Sequence, residues 1–266
     1  MNLPKAIVHL DRLARNYKIL SNSVNGKRLM AVVKANAYGH GAIECSKTLE
    51  DQGCDFFSVF TVGEAKELRN AGLKSDILIL SKLEKESIQT AIDNDLIVNI
   101  SSIDDLDSII FHLEKNGLSP RFHMKIETGM NRLGFDLSDI SLAIGKLLDY
   151  KNLNCEGIYT HYATSDEGDL SYAHLQQERF EQALEIANEM GYTFKYKHIS
   201  NSGGLLNELS SNTNLLRLGI LLYGIYPSKD VEKKYVLEPV LEFKAPIVDY
   251  RKTQKGAMVS YGGLYK

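Results

Sequence analysis

Long apolar runs are absent from this 266-residue chain. The opening Met-Asn-Leu-Pro-Lys-Ala-Ile-Val-His forms no secretory h-region, and no stretch reaches the ~20 apolar residues of a membrane-spanning helix. Cysteine is scarce: Cys45, Cys54 and Cys155 are odd in number and form no CxxC pair. That points to reduced thiols in the cytoplasm, without a disulfide framework or a metal site. Blocks of like charge are missing, and a net charge of −3 leaves nothing to attract nucleic acid or an anionic membrane. A GxGxxG loop is also missing, because Gly39-His40-Gly41 lacks the third glycine, which weakens a doubly wound sheet.

What is present is a regular alternation. Hydrophobic residues make up 44% of the chain and charged residues 24%, enough for a sizeable core. Strands are predicted at Arg28–Ala35, Asp55–Phe60, Asp76–Ser81, Ile97–Ile100, Arg121–Glu127, Asn154–His161, Phe194–Ser200 and Leu215–Ile220. Helices are predicted at Asp11–Ser21, Ala42–Asp51, Glu84–Asp93, Ser138–Tyr150, Leu170–Met190 and Gly203–Leu209. Thr61 and Glu64 have capping-box spacing, and Ser101 is the expected cap of the helix after the fourth strand. Eight strands alternating with helices over short connections match a (β/α)8 TIM-type barrel, an α/β fold. After Pro227 a charged stretch, Lys229–Lys234, leads to Val236–Tyr250 and Ala257–Tyr261, which alternate like strands. The expected division is a barrel over 1–227 and the incomplete start of an all-β domain over 228–266, too short to bury a core of its own.

In such a barrel, polar residues at the C-terminal strand ends carry function. Lys34 closes the first strand at the boundary of core and solvent, where partial desolvation makes an amine a better nucleophile. Gly39 and Gly41 admit close backbone approach, and Tyr38 brings a hydroxyl. Arg132 follows the fifth strand and His161 ends the sixth. Asn201, Ser202, Gly203 and Gly204 follow the seventh, and Arg217 and Gly219 lie at the eighth. Singly, Arg132 reads as a surface arginine, His161 as a core histidine and Arg217 as an ion-pair partner; their concentration at one rim needs another explanation. Ser202 and the backbone N–H groups around Gly203, Gly219 and Ile220 make a phosphate cradle. A lysine across the mouth can form a Schiff base, and an arginine can meet a ring nitrogen. That set suggests pyridoxal 5'-phosphate.

The stretch Val33-Lys34-Ala35-Asn36-Ala37-Tyr38-Gly39-His40-Gly41 resembles the pyridoxal-phosphate signature of bacterial alanine racemases almost residue for residue. Similar matches are Lys125-Ile-Glu-Thr-Gly-Met-Asn-Arg132-Leu-Gly134, Thr160-His161-Tyr-Ala-Thr-Ser-Asp-Glu167, His198-Ile-Ser-Asn201-Ser202-Gly, Arg217-Leu-Gly-Ile220 with Leu222-Tyr-Gly224, and Val259-Ser-Tyr261-Gly. The resemblance implies interconversion of L- and D-alanine, supplying D-alanine for peptidoglycan, by a homodimer. It implies that Lys34 holds the cofactor covalently and acts as one of two bases. Tyr38, Ser202, Gly219 and Ile220 would hold the phosphate, with Asn201 beside them. Arg217 would face the pyridine nitrogen and, always protonated, keep it unprotonated. His161 would buttress Arg217, Arg132 would contact the cofactor's phenolic oxygen and the substrate carboxylate, and Lys125 would be carbamylated to orient Arg132.

One element of the family pattern has no counterpart. The second base is a tyrosine of a Gly-Tyr-Ala-Asp-Gly type motif, contributed by the partner's β-domain. Lys266 comes before that motif, and Tyr261 belongs to the Val-Ser-Tyr-Gly element. The expectation is a racemase truncated within its β-domain and weakly active alone. The alternatives are a non-catalytic pyridoxal-phosphate-binding barrel, a serine-preferring racemase, and an amino-acid decarboxylase on the same barrel. The last uses an acidic partner for the ring nitrogen, so Arg217 argues against it.

Overall fold

The computed structural model describes residues 3–24, 26–209 and 212–265; the expected domain limits at Met1 and Lys266 lie outside these. Ten strands are present among the described residues: β1 Lys5–Val8, β2 Arg28–Val32, β3 Phe56–Val59, β4 Asp76–Lys82, β5 Ile97–Ile100, β6 Arg121–Lys125, β7 Asn154–Tyr159, β8 Tyr196–His198, β9 Leu215–Leu218 and β10 Leu241–Lys244. Strands β2 to β9 form one parallel sheet in the order β8-β7-β6-β5-β4-β3-β2-β9. Two backbone bonds close the remaining seam: Asn214 N–H donates to the Lys197 carbonyl at 3.1 Å and Arg217 N–H to Ser200 at 3.0 Å. The result is the expected eight-stranded barrel with helices between its strands.

Alternation along each strand sorts the side chains. Met30, Phe56, Leu78, Ile97, Tyr196 and Leu215 point inward and form an apolar plug. Their neighbours Ala31, Phe57, Ile77, Val98 and Phe122 face outward into the layer shared with the helices. Above the plug the inward positions become polar: Asn99, His123, Lys125, His198 and Arg217 are all buried. The C-terminal mouth of the barrel therefore rests on a buried polar layer. Among the described residues no helix is long and apolar enough to cross a membrane.

Several predicted boundaries move. Strand β2 ends at Val32 because Ala35 lies at φ 51°, which no strand accommodates. Strand β7 stops at Tyr159, two residues short of His161, and β9 stops at Leu218, where Gly219 turns the chain into the short Ile220–Tyr223 turn. Ser102, not Ser101, caps the helix Ile103–Asn116; the Ser101 hydroxyl donates to Asp105 instead. Thr61 and Glu64 do form the capping box.

The first residues hold an unpredicted strand, β1, which pairs antiparallel with β10. Within Val236–Tyr250 only Leu241–Lys244 is a strand, and Ala257–Tyr261 contributes only the bridge of Val259 to Tyr265. Alternating sequence makes a strand only where a partner edge is available. Buried Asn16 ties this region to the opening helix. Its amide donates to the Leu222 and Glu238 carbonyls at 3.0 and 2.8 Å and accepts from Glu238 N–H at 2.9 Å.

The N-terminal end of the barrel is held by ions. Arg121 reaches Asp76 and Glu156 at 2.8 Å and Asp95 at 3.3 Å, while Arg28 joins Asp55 and Asp76. Arg121, Asp76 and Glu156 are each only 19–20% exposed, so removing the shared cation strands two carboxylates in poor solvent. Arg121→Met is expected to lower stability by about 2 kcal/mol, between the values for surface and buried pairs. Urea unfolding checks it, and an unchanged midpoint would contradict this role.

Candidate active site

A cavity of about 420 Å3 opens at the C-terminal mouth. It brings together Lys34, Tyr38, Lys125, Arg132, His161, Asn201, Ser202, Gly203, Arg217, Gly219 and Ile220, whereas Gly39, Gly41 and Gly204, also singled out from the sequence, lie outside its lining. Sequence reasoning missed Val32, Phe60, Leu80, Leu133, Tyr159, Asp166 and Pro227 in the lining. Leu80 was available from the inward alternation of Leu78 and Leu80; Phe60 and Asp166 sit in loops whose course the sequence pattern does not reveal.

Lys34 begins a turn in which Ala35, Asn36, Ala37 and Tyr38 all adopt left-handed φ values of 51–53°. Such a conformation costs non-glycine residues on the order of 1 kcal/mol each, so bonds must hold it. Glu64 is central to this. Its carboxylate accepts from Phe60 and Thr61 N–H in the capping box and also from Ala35 N–H at 2.8 Å. The Asn36 side chain accepts from Ala42 N–H at 2.8 Å, locking the turn to the next helix. One full left-handed turn returns Tyr38 to the same mouth as Lys34, and its hydroxyl lies 2.7 Å from where a Cβ on Gly219 would be. Gly219 is therefore required by space.

Arg217 is buried at the centre of the site with no carboxylate partner among the described residues. One nitrogen donates to His198 Nδ1 at 2.7 Å; the other donates to the Thr160 carbonyl at 2.7 Å, His161 Nδ1 at 2.9 Å and the Ile199 carbonyl at 3.1 Å. A guanidinium only donates, so both imidazoles must accept at Nδ1 and carry their proton on Nε2. His198 Nε2–H then donates to His123 Nδ1 at 2.9 Å, and the same logic leaves a proton on His123 Nε2. Burial and the Arg217 charge hold His161 and His198 well below the ordinary histidine range; burial and Arg121 bring His123 to about 3. All three rings are neutral at pH 7. Burial likewise pushes Arg217 down to about 10, which leaves it charged.

The Tyr159 ring lies between cations. It stacks on His198 with centroids 4.7 Å apart and donates its hydroxyl to Asn99 at 2.8 Å. Arg217 lies 5.2 Å from its centroid and Lys125 5.8 Å, so the ring face stabilises both charges. Arg132 sits in a loop wound around Glu127, whose carboxylate accepts from Gly129 and Arg132 N–H. Burial alone would raise the Glu127 pKa, but these backbone donors outweigh it. The loop closes at Gly134 (φ 144°), where a Cβ would lie 2.4 Å from Glu127 N. Across the mouth, Asn201 caps the short helix Ser202–Leu206, accepting from Gly204 N–H at 2.9 Å and the Ser165 hydroxyl at 2.7 Å. Gly219 and Leu221 N–H both approach the Ser202 hydroxyl at 3.4 Å. A Cβ on Gly203 would meet Asp166 at 2.8 Å. Two turns thus aim N–H and hydroxyl groups at one corner.

Electrostatically the cavity is lopsided. Lys34, Lys125, Arg132 and Arg217 line it against the single carboxylate Asp166 among the described residues. Burial, then Arg132 and Arg217, lowers the Lys34 pKa, and the same causes bring Lys125 to about 8. Such a space suits an anion and holds two amines whose charged forms are disfavoured.

The alanine racemase N-terminal domain description matches residues 8–227. An alanine racemase of Desulforamulus reducens is 37% identical over 263 residues, covering 98% of this chain and 71% of that protein. One of Methanococcus maripaludis is 36% identical, with coverage of 98% and 71%. Among solved structures, alanine racemase of Clostridium difficile 630 superposes with a TM-score of 0.88 at 31% identity, over 100% of this chain and 70% of that one. That of E. faecalis gives 0.87 at 32%, over 98% and 71%.

The Lys125 shift has a testable consequence without any ligand. Its folded pKa lies below the ordinary 10.5, so the folded state disfavours the charged amine and is destabilised below pH 8. That penalty fades as pH rises from 8 to 10.5. Lys125→Met is therefore expected to stabilise the cofactor-free protein by about 2 kcal/mol at pH 7. The gain should shrink at pH 10, which denaturant midpoints at the two pH values check.

Proposed function

The chain belongs to the alanine racemase family, and on that premise we propose that it interconverts L- and D-alanine with pyridoxal 5'-phosphate held at the barrel mouth. The observation that carries this reading is Arg217, a buried cation with only neutral partners, lining the same cavity as the depressed amine of Lys34. The cavity fits the cofactor: an excess of cations for its charge, and a corner where Gly203 and Gly219 leave no room for a side chain beside Ser202. When bound, the cofactor supplies a carbonyl for covalent attachment and an electron sink that makes the α-proton of an amino acid removable.

The protein's own groups would divide the remaining work. Ser202, the N–H groups of Gly219 and Ile220, and the Tyr38 hydroxyl would hold the phosphate, with Asn201 shaping that turn. Arg217 would donate to the ring nitrogen, and a permanent donor there keeps that nitrogen from gaining a proton. The weaker sink favours returning the proton over other fates of the substrate. His161, neutral and fixed by Arg217, would orient the ring. Arg132 would meet the substrate carboxylate. Lys125, near 8, is nucleophilic enough to take up carbon dioxide as a carbamate, releasing a proton and giving Arg132 an anionic neighbour.

Lys34 would remove or return the proton at the substrate Cα on one face. Inversion needs a second donor on the other face, worth ~10²–10⁴ in rate. The tyrosines in the lining are committed: Tyr159 donates to Asn99, and Tyr38 lies against Gly219, its phenol pushed up to about 12 by burial. We read the second base as coming from outside this lining, in a homodimer, and residues 228–266 as the start of the β-domain that follows a barrel over 1–227. The D-alanine formed would serve peptidoglycan in the cytoplasm.

Adding pyridoxal phosphate should produce a protein-bound visible absorbance band that Lys34→Ala abolishes. L-Alanine should yield D-alanine, followed with D-amino-acid oxidase, at a rate at least about a thousandfold lower in Lys34→Ala. Release of carbon dioxide from the amino acid would instead favour a decarboxylase, and faster turnover of serine a serine racemase.

A further inference from the structure

His40 has no part in the chemistry above, yet it is buried directly beneath the turn that presents Lys34 and Tyr38. Its Nδ1 lies 2.9 Å from the Ala37 carbonyl. A carbonyl only accepts, so Nδ1 must carry the proton and donate. The Ala37 carbonyl also accepts from His40 N–H at 3.1 Å, so one residue holds it with two donors. Ala37 N–H in turn donates to Val33 at 2.9 Å, and Gly41 N–H to the Asn36 carbonyl at 3.1 Å. These bonds span the whole run of left-handed residues.

The ring is fixed from its other side. Its centroid lies 4.5 Å from that of Tyr223, with the planes tilted by 34°. Tyr223 in turn meets Tyr38 edge-on at 5.5 Å and donates its hydroxyl to the Val32 carbonyl at 3.2 Å, at the end of the strand that leads to Lys34. His40 Nε2 is buried and has no partner among the described residues. A histidine that leaves one nitrogen unsatisfied in the core is held there for what the other nitrogen does, because an apolar ring would pack at lower desolvation cost.

We propose that His40 is a positioning residue: by donating to the Ala37 carbonyl and resting on Tyr223, it clamps the left-handed turn that brings Lys34 and Tyr38 into the same cavity. This rests on the cofactor reading given above. Without the donor, the turn keeps only the Glu64 and Asn36 supports, and its four left-handed non-glycine residues relax more often toward right-handed backbone. Lys34 and Tyr38 then no longer point into one mouth, although the barrel itself, built on other contacts, persists.

Two variants separate the donor from the ring. Asn carries an amide N–H where the imidazole Nδ1 lies, whereas Phe keeps the ring and loses the donor. In the cofactor-free protein, amide exchange in the peptide covering 33–42 should be about tenfold faster in His40→Phe and within about threefold of the parent in His40→Asn. Affinity for pyridoxal phosphate, titrated by its visible band, should follow the same order, again with about a tenfold loss in His40→Phe. The helix Ser171–Glu189 serves as an internal reference. Parent-like exchange in His40→Phe would overturn the clamp. So would equal acceleration in both variants, or acceleration shared with the reference helix, since either assigns His40 to packing alone. If the parent itself fails to bind the cofactor, the functional reading falls while the exchange measurement still decides the clamp.

Discussion

Arg217 is a cation placed where a cation is hardest to keep, and much of the barrel interior is arranged around that fact. Among the described residues no carboxylate pairs with it, and its charge is spread over two carbonyls, two imidazoles and the face of Tyr159. Each acceptor is constrained in turn. The guanidinium sets the tautomer of His161 and His198, and His198 sets that of His123. Gly157 faces His123 because a Cβ there would lie 2.8 Å from the imidazole, and a register irregularity in β6–β7 falls between the flanking residues Phe122 and His123. A carboxylate beside Arg217 would be simpler to stabilise, but it would neutralise the charge. The absence of one keeps the field of the site positive.

That field has consequences for the amines. Lys34 and Lys125 share the cavity with two guanidinium groups and are shifted in the same direction for the same reasons, burial first and neighbouring charge second. Lysines in an anionic pocket would stay protonated and inert. Here the surplus of positive charge both attracts an anionic ligand and makes an amine more reactive, so recognition and reactivity come from one electrostatic arrangement.

Position comes from a second constraint, the left-handed turn after Lys34. Its four positive φ values are supported from every side: Glu64 from the neighbouring capping box, Asn36 from the next helix, and His40 with Tyr223 from below. Strain of this kind persists only where the surroundings over-determine it, and it is found where two side chains must be aimed together.

Much of this was legible beforehand. The eight strands, the capping box of Thr61 and Glu64, and the rim residues Lys34, Arg132, His161, Ser202 and Arg217 follow from alternation, cap chemistry and the ends of apolar runs, all local properties. The end of β2 at Val32, the helix cap at Ser102, and strand β1 were not legible. A left-handed turn of alanines leaves no compositional mark, two adjacent serines are equivalent caps until packing chooses, and β1 exists only because β10, more than two hundred residues away, offers it an edge. By itself the sequence determined the class of fold and the types of group at its mouth, because periodicity and residue chemistry are carried along the chain. Only the tertiary structure decided which proton each histidine bears, how far the lysines are shifted, and that His40 supports the turn. Those depend on distances between residues that the chain order keeps apart.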